Sequence, residues 1–185
     1  AMSQLLAPMC RADSFGIERL GDVPGVQAVT PEGALAHYRQ ILRESRVELF
    51  YVGAQPADAV ARLCEPLLAG LERAYVPLPP QTPFHDAGGT AEQETLPVAQ
   101  GRLCMGFTTP IAAGSADYAA MQLVNTAFGG GQTARLYQNV RERMSACYEI
   151  GSAYYGTKGI LTVSAGIDGG AAEAVRAEAV SYTHL

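Results

Sequence analysis

Arg141 and Tyr148 stand seven residues apart in the stretch NTAFGGGQTARLYQNVRERMSACYEIGSAYYGTKG, which runs from Asn125 to Gly159. One is a cation with a fixed fork of donors, the other a phenol with one donor. Both act by donating hydrogen bonds to oxygen. The fork suits carbonyl groups, and the phenol suits an oxygen on which negative charge develops. Neither task needs a metal. Both residues also have plain structural uses: VRER at a helix end complements the helix dipole, and a tyrosine on a strand is commonly core.

Other chemistries are weaker. A phosphate loop needs Gly-Lys-Ser/Thr entering a helix after a strand, whereas GGGQTAR follows a helix and has no lysine. A dinucleotide GxGxxG is also missing, so Gly129 to Gly131 read as a helix cap and tight reversal. A zinc site on a helix wants two histidines and a glutamate on one face. The three histidines, His37, His85 and His184, have no partner at that spacing. No metal or other cofactor is expected in this chain.

The elements that must position the pair follow from breakers and periodicity. A helix over 132–143 has Leu136, Val140 and Met144 on one face. Tyr148 opens an aromatic-rich strand, YEIGSAYY. With the helix ending near Arg143, a turn at Ser145-Ala146 returns the chain, so that both side chains can reach one volume. Upstream, residues 1–29 read as irregular. Thr30-Pro31 starts a helix with a capping hydroxyl and a proline at the first helical position, and its apolar face carries Leu35, Tyr38 and Leu42. Val47 to Gly53, VELFYVG, is a short strand candidate. A helix from Pro56 bears Val60, Leu63, Leu67 and Leu71, with Pro66 expected to kink it or divide it in two.

Residues 73–95 carry four prolines between Pro77 and Pro83 and a glycine pair, the composition of a stiff, extended linker. A long strand from Leu96 to Thr108 follows, then a helix over Ala116 to Phe128. Ile160 to Ile167 alternates as a half-buried strand, paired with its predecessor through a turn at Thr157 to Gly159. A helix begins at Gly170. Long helices against a mainly antiparallel sheet make the fold class α+β.

Composition bounds the rest. The chain has 185 residues, 48% hydrophobic and 17% charged, with net charge −5, which fits a globular protein with a sizeable core. With no basic cluster, neither a nucleic-acid nor an anionic-membrane surface is expected. No stretch approaches the ~20 apolar residues of a membrane helix. The opening AMSQLLAPMCRADS lacks the charged start and apolar core of a signal peptide. Four scattered cysteines without CxxC suit free thiols and a cytoplasmic setting. Both ends look cut, and Ser181 to Leu185 (SYTHL) reads as a non-native tail.

FGGG, a small residue, Arg-Leu-Tyr, Val-Arg-Glu and then Tyr148 resemble the second domain of the insulinase/pitrilysin family of zinc peptidases. Lys158-Gly159 and Ala165-Gly166-Ile167 resemble a bacterial branch whose members often lack the zinc site. The resemblance implies that 1–72 is the tail of one family domain, 73–95 a linker and 96–180 the opening of the next. It implies that Arg141 and Tyr148 contact a bound peptide beside the metal. Zinc would come from an upstream region or a partner subunit. The implied partners are an unfolded peptide substrate and the other half of a clamshell. The rival expectation is a non-catalytic structural or assembly subunit of the same fold.

Overall fold

Ile160–Ile167 (β3) is buried on both faces, not half-buried as its alternation suggests. The cause is position. It lies between Gly101–Thr108 (β1) and Cys147–Tyr155 (β2) in a three-stranded sheet ordered β1-β3-β2, antiparallel throughout. Leu161, Val163, Ala165 and Ile167 face one way and join Ile150 of β2 in the main core. Ile160 and Thr162 face the other way and are equally covered. The structure, a computed structural model, describes residues 1–79, 89–168 and 170–182.

The chain divides into two compact units, one of Ala1–Arg19 with the residues from 89 onward, the other of 20–79. In the first, the main core lies between the sheet and three helical elements. Tyr118–Gly129 supplies Phe128, the helical turn after the glycines supplies Leu136 and Val140, and Ala172–Ser181 supplies Val175 and Ala179. The opposite face of the sheet is covered at one end by residues expected to be irregular. Met2–Met9 (α1) is a helix, and a 3₁₀ turn follows at Ser14–Gly16. Met9 and Cys10 pack with Ile160 in a second small core, to which Leu5, Leu6, Phe15 and Tyr155 contribute. Phe15 meets Tyr155 edge-on at 5.4 Å between ring centroids.

In the second unit, Val23–Gln27 (α2) starts at Asp22, whose side chain accepts from Gly25 N. Pro31–Glu44 (α3) is capped by Thr30 Oγ1, which accepts from Gly33 N at 3.1 Å, as the Thr-Pro start predicts. Ala57–Ala69 (α4) is one continuous helix with Pro66 in its last turn. Val47 to Gly53 forms no strand; Phe50 is 85% exposed and Val52 fully so. A strand needs a partner ladder, and this unit contains none among its described residues. Arg73 donates to Leu42 O at 2.7 Å and to Ser45 O, tying residues 73–76 to the end of α3. Within the stretch expected to be a linker, 89–95 carry no helix or strand, and 80–88 lie outside the described residues. The strand expected from Leu96 begins at Gly101.

The fold class is α+β, helices on an antiparallel sheet. The remaining helices are labelled α5 (Tyr118–Gly129) and α6 (Ala172–Ser181).

Candidate functional site

Three departures from regular backbone lie between residues 137 and 149. The first is in the helix. Tyr137–Arg143 is wound as a π-helix, so Met144 N donates to Asn139 O, five residues back, at 2.9 Å. Leu136 and Val140 remain fully buried. The wider winding moves Met144 off their face, and it is 37% exposed where an α-helix would have buried it. The second is Ser145, a non-glycine residue at φ 52°, which reverses the chain toward β2.

The third is a β-bulge. Cys147 pairs with Ile167 and Glu149 with Gly166, so Tyr148 has no opposite residue on β3. An extra residue bends a strand and re-aims its side chain. Here the phenol is turned outward and is 67% exposed. A bulge also takes the local carbonyl out of the ladder, and a backbone acceptor needs a donor. Arg141 supplies it: Nε donates to Tyr148 O at 2.8 Å.

The rest of the guanidinium is engaged along the π-helix. Nη1 donates to the Tyr137 hydroxyl at 2.6 Å and pairs with Glu142 Oε1. The guanidinium carbon lies 4.8 Å from the centroid of the Tyr137 ring, a cation–π contact. Arg141 and Tyr148 are therefore brought together, through a side-chain to main-chain bond, while the Tyr148 hydroxyl has no hydrogen-bond partner among the described residues. Tyr137 and Glu142 belong to the same cluster, and the sequence reading passed over them. The spacing of Tyr137 and Arg141, i and i+4 on one helix, is the signal that points to the first. Beside them, burial raises the Cys147 thiol pKa and Arg141 opposes the rise in part, so the thiol is protonated at neutral pH.

One glycine of FGGG, Gly129, sets how closely the end of α5 sits against the sheet. Gly130 is the C-cap of α5, its N–H donating to Thr126 O at 3.2 Å, and none of Gly129 to Gly131 has positive φ. At Gly129 a Cβ would lie 2.6 Å from Ser152 Oγ and 2.7 Å from Ser152 N. Glycine there lets the end of α5 touch β2. At Gly130 a Cβ would lie 2.7 Å from Thr126 Cα. Ser152 Oγ also donates to Asn125 Oδ1 at 2.7 Å, a second tie between the same elements.

Elsewhere, an open cleft of about 340 Å³ lies on the sheet beside the start of α1, with Met2 in its wall. Arg102 spans it, donating to Ser164 Oγ at 2.9 Å and to Glu149 Oε1 at 2.6 Å. Neither Arg141 nor Tyr148 lines it. Among the described residues no three His, Cys, Asp or Glu side chains converge as metal ligands. His37 is exposed on α3, while His85 and His184 lie outside the described residues. The described residues thus do not fit a zinc ion. All four cysteines are free thiols. No helix among the described residues is long and apolar enough to cross a membrane.

Comparison with known proteins extends these observations. The chain is 27% identical over 165 residues to a Bacillus subtilis protein described as "Probable inactive metalloprotease YmfF", covering 89% of this chain and 39% of that one. Its fold matches the crystal structure of a conserved protein from Enterococcus faecalis, with TM-score 0.74 and 24% identity, over 97% of this chain and 43% of the other. It also matches a peptidase M16 inactive domain from Pseudomonas fluorescens, with TM-score 0.69 and 17% identity, over 98% and 45% of the two chains. The chain spans less than half the length of each of these relatives. Residues 28–183, which include the whole π-helix and bulge, match the sequence profile of the peptidase M16 inactive domain. The chain therefore belongs to the peptidase M16 inactive-domain family.

Proposed function

We propose that this chain is the peptide-contacting part of a peptidase-like assembly of insulinase/pitrilysin type, with Arg141 and Tyr148 as the contacting pair. In this reading 1–72 is the end of a first peptidase-like domain, 73–95 the linker and 96–180 the start of a second. Any zinc is held by an upstream region or a partner subunit. Arg141 donates to a main-chain carbonyl of an unfolded peptide. Tyr148 donates to the carbonyl oxygen that gains negative charge as the peptide bond is attacked.

The observation that carries the reading is the bulge at Tyr148, with its carbonyl held by Arg141 Nε at 2.8 Å and its phenol left outside. π-turns and bulges both concentrate at functional sites. A buried core tyrosine would show neither the bulge nor the exposure. The test is turnover of an unstructured peptide by the chain reconstituted with its zinc-bearing half. Tyr148→Phe is expected to slow turnover by about 10²–10³, the usual cost of one oxyanion donor, with an unchanged melting temperature. Full turnover in both Tyr148→Phe and Arg141→Ala would remove the pair from function.

A second reading, a non-catalytic assembly subunit, is favoured by the word "inactive" in the description of the family and of the Bacillus relative. It gains if the reconstituted assembly forms tightly and turns over no peptide.

A further inference from the structure

The donors of Arg141 can be counted. A guanidinium carries five N–H groups on three nitrogens. The single N–H of Nε is spent on Tyr148 O at 2.8 Å. The two of Nη1 are spent on the Tyr137 hydroxyl, at 2.6 Å, and on Glu142 Oε1. Both N–H groups of Nη2 remain, and no described residue accepts from them. Tyr137 fixes this state twice over, since its ring also lies beneath the guanidinium at 4.8 Å.

We propose that Tyr137 is the positioning residue for Arg141, and that the cluster thereby recognises a carbonyl inside a peptide chain rather than a terminal carboxylate. This rests on the peptide-contact reading above. A carboxylate is gripped by two parallel N–H groups on neighbouring nitrogens. Every such fork of Arg141 includes Nε or Nη1, and both are occupied within the chain. Glu142 also sets a negative charge beside Nη1, which disfavours an anion there. A neutral carbonyl needs one donor, and Nη2 offers it at the edge of the cluster. The hydroxyl of Tyr137 accepts from Arg141, so its own proton is free for a second acceptor.

Two measurements on the full 185-residue chain test this. The first is the Arg141 Nε–H signal in ¹⁵N spectra, assigned by its loss in Arg141→Lys. Its exchange with water should be about tenfold slower than that of an exposed arginine such as Arg39, the size of one hydrogen bond to a charged group. Tyr137→Leu should remove that protection, and Tyr137→Phe, which keeps the ring, should keep part of it. Equal protection in wild type and Tyr137→Leu would overturn the positioning role, as would a freely exchanging wild-type signal.

The second measurement is the dissociation constant for one unstructured peptide with a free and with an amidated C-terminus. The two should agree within about threefold, and Tyr137→Leu combined with Glu142→Gln should shift preference toward the free acid, because it reopens a fork. A wild-type preference for the free acid of about tenfold or more would overturn the carbonyl assignment. If neither peptide binds while the Arg141 signal behaves as stated, the peptide-contact reading falls with its carbonyl preference and the positioning role stands.

Discussion

Lys158 has only 3% of its side chain exposed, and its ammonium meets Asp13 Oδ2 at 2.5 Å. Asp13 accepts as well from Phe15 N at 2.8 Å, so one carboxylate both pairs a buried cation and caps the 3₁₀ turn. The Lys158 hydrogen bond, and after it the Phe15 amide, hold the Asp13 pKa below its ordinary value. A carboxylate with a depressed folded pKa contributes its stability above the unfolded value of about 3.9 and loses it as pH falls through the folded value. The melting temperature should therefore be insensitive to pH around neutrality, where the Asp13 contribution is fully present, and should drop in acid below about pH 4. In Asp13→Asn this acid-dependent component should vanish. That variant keeps the cap acceptor but strands a buried ammonium, at a cost of roughly 3–5 kcal/mol. Replacing both residues together, Asp13→Leu with Lys158→Met, should restore most of the loss, since apolar side chains often replace a buried pair without net cost. Denaturant unfolding of the two variants separates these cases; equal losses in both would mean that the pair is not what holds the turn.

At the scale of elements, the glycine triplet offers a sharp contrast between its first and last members. Gly129→Ala forces a Cβ to within 2.7 Å of the backbone nitrogen of Ser152, which cannot swing aside. It should cost about 1–3 kcal/mol, as overpacking does. Gly131→Ala meets nothing within 4 Å and has no positive φ to strain, so it should be neutral or slightly stabilising in the same melting assay. What sequence reveals at this scale is the local pattern. The β3 alternation, the Thr30 cap and the spacing from Arg141 to Tyr148 are all visible in the chain, because each depends on neighbours a few residues away. The central place of β3, the helix at Met2–Met9 and the exposed Val47 to Gly53 depend on which strands pair and what covers them. Those are long-range facts that no local period encodes. The π-winding and the bulge are each a single extra residue in an otherwise regular element. They leave no periodic trace, so the bond from Arg141 Nε to the carbonyl of the bulged Tyr148 was not legible in the sequence.

At the scale of the molecule, the two units differ in what holds them. The sheet unit has the two cores described above, whereas no described residue between 20 and 79 is buried. In that second unit α3 and α4 have 14 and 13 residues, lengths at which an isolated helix is marginal in water. Their apolar faces carry little cover: Leu35 is 48% exposed, Tyr38 58%, Leu63 74% and Leu67 73%. Local stability follows buried contact, so the free energy of opening should differ sharply between the units. Hydrogen exchange on the 185-residue chain should therefore show its slowest amides in β3. Those of α3 and α4 should exchange orders of magnitude faster, through local opening that leaves the sheet intact. Trypsin provides a second view, because cleavage under native conditions follows the population of open forms. First cuts should fall at Arg39, Arg43, Arg46 and Arg62, with Lys158 the most resistant basic residue, since its side chain is buried and it lies in the turn between two core strands. Equal protection of α3 and β3, or early cleavage at Lys158, would show that the second unit is held by contacts as strong as those of the sheet. If the proposed first domain is supplied as a separate chain that binds, protection should rise in α3 and α4 and stay unchanged in β3, because the helices have apolar surface left to cover whereas β3 is already buried.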